Sequence, residues 1–105
     1  MSKRIVLVTS AAALLCGACA WVSLEPAAES VRVRSQGDVT GCERLGKTHT
    51  RTMDRIGFIP RRASRVHQEL ERLARNEAVN MGGNAVAPLG DALSGEQDYG
   101  IYRCP

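Results

Sequence analysis

Cysteines, histidines and arginines are the residues here whose types and spacing could do chemistry. The four cysteines fall into two groups, Cys16 and Cys19 near the N-terminus and Cys42 and Cys104 far apart in the body of the chain. A redox pair favours a Cys-x-x-Cys spacing, which Cys42 and Cys104 lack. A zinc site would need His49 or His67 to join them, and neither histidine has a ligand-like spacing to either cysteine. In an exported domain the simplest use of this pair is a structural disulfide; a redox pair and a metal site are the functional alternatives. There is no G-x-S-x-G, no H-E-x-x-H and no phosphate-binding glycine loop. No catalytic residue is therefore assigned, and neither an enzyme, a cofactor nor a metal is expected. His67, beside Val66, and His49, between threonines, read as structural residues. Asp91, Glu96 and Asp98 read as a solvated loop cluster, with a weak cation site as the alternative.

The arginines are less easily set aside. Arg51, Arg55, Arg61, Arg62 and Arg65 face a single acid, Asp54, over the same stretch. Arg61, Arg62 and Arg65 fall in the first turns of the expected helix, where positive charge opposes the macrodipole by about 0.3–1 kcal/mol each when exposed. A patch turned towards an anionic partner is one account: lipid headgroups, lipopolysaccharide or an acidic protein surface. The other is a helix that starts elsewhere, its arginines merely solvated.

The N-terminus carries an address. Lys3 and Arg4 precede the mostly apolar run 5–15, and Cys16-Gly17-Ala18 supplies small residues, the three-part pattern of a secretory signal. Eleven helical residues span about 16 Å, half a hydrocarbon core, which argues against a spanning anchor. Leu14-Leu15-Cys16-Gly17-Ala18-Cys19 resembles a bacterial lipobox, in which the last cysteine is acylated and becomes the new N-terminus. Cys19 is then the lipid attachment residue and residues 1–18 the signal. Ala20, in place of the Asp usually associated with inner-membrane retention, favours the outer membrane. The alternative is an Ala18-Cys19-Ala20 site with cleavage before Trp21 and a soluble periplasmic product. Losing residues 1–18 removes Lys3 and Arg4, so 12 of the 14 basic residues remain against 11 acidic ones and the net charge of +3 falls to +1. That excludes nucleic acid as the expected partner.

Residues 19–30, with Pro26 and no sustained period, read as a short tether, and residues 31–105 as the domain. Val31 to Arg34 alternate apolar and polar, as a half-buried strand does. Residues 42–53 suit a second strand, with Thr48, Thr50 and Thr52 at period two and Gly46 as a bulge. Gly57 and Pro60 bracket Phe58 and Ile59 in a connecting loop. Ala63, Val66, Leu70, Leu73, Ala74, Ala78 and Met81 recur at helical spacing, placing a helix over about 61–81 that Gly82-Gly83 would end. Glu71–Arg75 and Glu69–Arg72 would pair on its outer face. Residues 84–87 enter a third strand that Pro88 ends or marks as an edge, 90–95 make a loop, and 97–104 the last strand. The fold class is α+β: a small two-layer β-β-α-β-β domain, one helix on a short antiparallel or mixed sheet, stapled by one disulfide.

The stretch Leu73-Ala74-Arg75-Asn76-Glu77-Ala78, then Met81-Gly82-Gly83-Asn84-Ala85-Val86, resembles a family of small bacterial lipoproteins of unknown function. In that family a C-x-x-L-G, here Cys42, Leu45 and Gly46, precedes the helix and a Tyr-x-Cys, here Tyr102 and Cys104, follows it. The family is similar in fold to the outer-membrane lipoprotein sensor of the Rcs envelope-stress phosphorelay. The resemblance covers about residues 30–104 and implies a compact domain with a helix–Gly–Asn–strand junction. The sensor has a long tether and four domain cysteines where this chain has a short tether and two, so only the fold is carried over. The expected function is a non-enzymatic envelope lipoprotein that binds another envelope component, held to the membrane by its lipid. A stress-sensing or regulatory lipoprotein is the alternative.

Overall fold

Apolar residues at helical spacing dictate where the helix forms and which face it buries. The computed structural model describes residues 22–105, so the expected signal segment, Cys16, Cys19 and Trp21 lie outside the described residues. In chain order the elements are β1 (Arg32–Val33), β2 (Glu43–Arg51), β3 (Arg55–Ile56), β4 (Ile59–Pro60), α1 (Ala63–Asn80), β5 (Ala85–Leu93) and β6 (Glu96–Arg103), with 3-10 turns at Pro26–Ser30 and Gln36–Val39. The long strands form one mixed sheet in the order β1-β5-β6-β2, where β1 runs parallel to β5 and the other pairs are antiparallel. β3 and β4 form a separate two-stranded hairpin. The architecture is α+β, one helix on a small sheet, as the pattern predicts.

Val66, Leu70, Ala74 and Ala78 of α1 bury against Val86, Tyr99 and Ile101 of the sheet. The two alanines let the helix axis sit close to the strands. On the opposite face Val39, from the second 3-10 turn, joins Ala85, Ala87 and Tyr102 in a smaller cluster beside Cys42 and Cys104. Tyr102 lies over Gly100, where a Cβ would come within 2.6 Å of the phenol oxygen.

The end of α1 explains the glycine–asparagine motif. Gly82 takes φ +78°, which favours glycine. Gly83 N–H donates to Ala78 O at 2.8 Å and has no room for a side chain, since a Cβ would stand 2.7 Å from Ile101 Cγ2. Asn84 then brackets the last strand: Nδ2 donates to Cys104 O at 2.8 Å, and Cys104 N–H donates to Oδ1 at 2.7 Å. Cys42 and Cys104 are bonded as a disulfide one position beyond the Glu43–Arg103 pair, their Cα atoms 4.5 Å apart.

Several local expectations change. The connecting loop at 57–60 is part of the β3–β4 hairpin, whose two-residue strands are too short to display a period. Residues 90–93 stay in β5, beyond a bulge held by Gln97, whose side-chain amide donates to Leu89 O and Gly90 O. Pro88 fits because β1 pairs only as far as Val86, leaving β5 an edge there. Ser94 and Gly95, both at positive φ, make the tight turn between Leu93 and Glu96. The pairs Glu71–Arg75 and Glu69–Arg72 do not form. Arg75 instead donates to the carbonyls of Ala28, Glu29 and Val31, Glu71 meets His67 at 2.9 Å, and Glu69 turns inward. Arg75 and Asn76 accordingly hold down residues 22–31, read from sequence as mostly tether: Asn76 bonds Ser23 O and Glu25 N–H, and Ala28 is fully buried.

Closing a loop over a sequence separation of 62 stabilises the native state by about 4 kcal/mol in the chain-entropy account. Replacing both cysteines by alanine should lower the melting midpoint on the order of 20 °C. Calorimetry finding a drop under about 5 °C would instead assign the fastening of that end to Asn84 and the β2–β6 ladder.

Candidate functional site

The site is built at the N-terminal end of α1. Arg61, just before the helix, donates its backbone N–H to Asp54 O and its Nη1 to Met53 O, both at 2.7 Å, closing the base of the β3–β4 hairpin. The same Nη1 lies 2.8 Å from Oε2 of Glu69, two turns along the buried face, with the two side chains 9% and 3% exposed. The contact is an ion pair, and Glu69 Oε2 accepts no hydrogen bond within it. The pair locks the hairpin onto the helix.

What the hairpin carries outward is apolar. Phe58, at its turn beside Gly57 (φ +62°), is fully exposed and Ile59 is 71% exposed. Met53, Ile56 and Leu93 are more than half exposed as well. Leu93 joins them because the β5–β6 turn docks on the same base: Thr52 N–H donates to Gly95 O at 2.8 Å. Between hairpin, turn and helix lies an open cleft of about 620 Å³, whose apolar walls include Pro60, Val66, Leu70 and Ala92. Apolar surface gathered in this way differs from the singly scattered apolar side chains of an ordinary domain surface.

Four of the five sequence-selected arginines surround this end, and one does not. Arg55, Arg62 and Arg65 are exposed, and among the described residues no carboxylate pairs with them. Arg51 is exposed at the end of β2 and meets Glu96 at 3.3 Å. Arg61 leaves the patch, since its charge is spent inside the fold on Glu69. It also precedes the helix, and Arg62 is the N-cap residue. The expectation of arginines in the first turn therefore holds for Arg65 alone.

A second cluster lies on the sheet face away from α1. His49 and Asp98 are register partners, with Nδ1 2.5 Å from Asp98 Oδ1 and Nε2 3.2 Å from Glu96 Oε1. Glu96 and Asp98 are thus strand residues holding a histidine rather than members of a loop cluster, and Asp91 stands apart on β5. Hydrogen bonds to Asp98 first and Glu96 second raise the His49 pKa above 6.5.

Sequence patterning missed the five exposed apolar residues and the Glu69 partnership. A signal was present: Met53, Ile56, Phe58 and Ile59 crowd into seven residues punctuated by Gly57 and Pro60, with neither a strand nor a helix period to bury them. Residues 22–104 match a family described as a domain of unknown function (DUF4156). The chain belongs to this family. The match takes in the cleft, both clusters and the disulfide. No curated protein and no solved structure matches the chain.

Two outcomes test these arrangements. Arg61→Met leaves the Glu69 carboxylate buried without its partner and should cost about 3–5 kcal/mol in urea denaturation. Arg61→Met with Glu69→Leu should recover most of that loss, and an equal loss in both variants would place the effect in packing instead. Because the folded-state pKa of His49 is raised, its contribution to stability is full below pH 6.5 and is lost as pH climbs through the raised value. Unfolding free energy should decline across that window, and His49→Gln should abolish the decline. An unchanged slope in the variant would assign it to another group.

Proposed function

We propose that this chain is a bacterial envelope lipoprotein whose exported domain works by binding another envelope component. The observation that carries the reading is the end of the molecule where Met53, Ile56, Phe58, Ile59 and Leu93 stand exposed beside Arg55, Arg62 and Arg65. What this surface offers is apolar area and guanidinium groups, which suits adhesion to an anionic amphiphilic partner rather than turnover of a substrate. The Cys42–Cys104 disulfide supports an oxidising compartment. The lipobox-like residues before Cys19 support an acylated N-terminus, and Ala20 supports the outer membrane. We extend the proposal to a likeness in fold with the Rcs sensor lipoprotein, on the helix–Gly–Gly–Asn–strand junction; it takes over no signalling role.

The anchor is tested in cells by palmitate labelling and fractionation. The intact chain should be labelled and sediment with membranes, and Cys19→Ser should lose the label and become soluble. A mature N-terminus at Trp21 would overturn the anchor in favour of a soluble periplasmic protein.

A further inference from the structure

The direction in which the chain leaves the described structure bears on what the apolar end touches. Going back from Glu25, the backbone follows α1 towards that helix's N-terminus. Glu25 N–H and Ser23 O are held by Asn76, and Val22 O accepts from Arg72 Nη1 at 3.4 Å. From Arg72 to the start of α1 at Ala63 the axis rises about 13 Å. The three residues from Val22 to Cys19 reach at most about 11 Å. Arg72 lies near the middle of α1, so a lipid on Cys19 has the end that carries the cleft and the exposed apolar side chains within its range.

That end has the make-up of a surface that settles into a headgroup layer. Phe58 and Ile59 project from a tight hairpin and Leu93 from the neighbouring turn, so the apolar groups sit on two tips rather than on a flat face. Arg55, Arg62 and Arg65 lie around them with long, flexible cations. The acids of this end are Asp54, half-buried under the hairpin base, Asp91, exposed on β5, and Glu96, which is engaged by Arg51 and His49. An α1 N-terminus ringed by arginines is electrostatically poor in water, and improves when anionic phosphates approach.

We infer that the domain rests this end on the membrane to which it is anchored, with Phe58 and Ile59 inserted among anionic phospholipid headgroups and Arg55, Arg62 and Arg65 lying on their phosphates. The inference rests on the lipid-anchor reading above. It deepens that reading by making the bilayer itself, and not only the acyl group, a ligand of the folded domain. Interfacial side chains of this kind sit about 5–10 Å into the headgroup and acyl boundary.

The test reads immersion rather than binding. The mature protein carries a nitroxide at Phe58→Cys or, at the disulfide end, at Thr40→Cys. Each is reconstituted in vesicles of phosphatidylethanolamine with phosphatidylglycerol, or of phosphatidylcholine alone. Accessibility to oxygen and to a water-soluble nickel chelate gives the depth. The label at 58 should favour oxygen on anionic vesicles and shift to the chelate on phosphatidylcholine. It should shift likewise when Arg55, Arg62 and Arg65 are replaced by Glu, while the label at 40 stays aqueous throughout. Phe58 is fully exposed, so its replacement leaves the fold intact. A label at 58 that is aqueous on both vesicles, or equally immersed in both, overturns the inference. So does an aqueous label at 58 together with a protein adduct from a photo-crosslinker at that position in cells, which would make this a protein-docking surface. The mass of the intact protein reports acylation separately, and an unacylated chain mixed with the same vesicles still reports on residue 58.

Discussion

The contact between Arg61 and Glu69 is the constraint around which one end of this molecule is arranged. A carboxylate on the buried face of a helix needs a cation, and the cation comes from the residue that closes the neighbouring hairpin. Because the Arg61 side chain also holds the carbonyl of Met53 and its backbone N–H the carbonyl of Asp54, a single residue fixes the hairpin, the helix start and the floor of the cleft relative to one another. Replacing such a pair with apolar groups is often neutral for stability, so its value here lies in position. It presents apolar tips to the outside without letting them collapse onto the core.

The opposite end is fastened by different means. There the disulfide, the two-way bracket of Asn84 on Cys104 and the tight Gly82-Gly83 exit from α1 converge within a few residues. The molecule is accordingly polar in construction. One end is stapled covalently and spends its motif residues on backbone geometry, and the other is held by the Arg61–Glu69 pair and a few backbone hydrogen bonds and spends its residues on surface. The family resemblance rests largely on the first end, while the proposed function rests on the second.

The difference in legibility follows from this. The helix, β2, β6, the bulge beside Gly46 and the disulfide are legible because periodicity, glycine punctuation and cysteine parity report on burial and turns directly, whereas only the first residues of β5 are, its second half lying beyond a bulge. Glu69 reads as an outer-face residue because a charged side chain in a helix is ordinarily solvated, and no local pattern reveals a partner that arrives from a preceding hairpin. Arg75 reads the same way, yet its targets are carbonyls of the first 3-10 turn and of Val31 just after it, more than forty residues earlier in the chain. The arginine run was visible as composition, but only the fold separates Arg61, which is spent internally, from Arg55, Arg62 and Arg65, which are not. His49 was missed for a related reason: a cross-strand clasp depends on register, which sequence alternation leaves open.

The strap formed by residues 22–31 has a mechanical consequence. A pull applied at Val22 meets its bonds in series: first the carbonyl held by Arg72, then the two contacts of Asn76, and then the three carbonyls gripped by Arg75. Such a geometry peels one link at a time, whereas the β2–β6 ladder and the disulfide behind it carry no load until the strap is gone. Peeling from Val22 to Val31 frees at most about 30 Å of extended chain before β1 is reached. Residues 22–31 are therefore a reserve of length held within the domain's own packing, fastened by side chains of α1 rather than by the sheet.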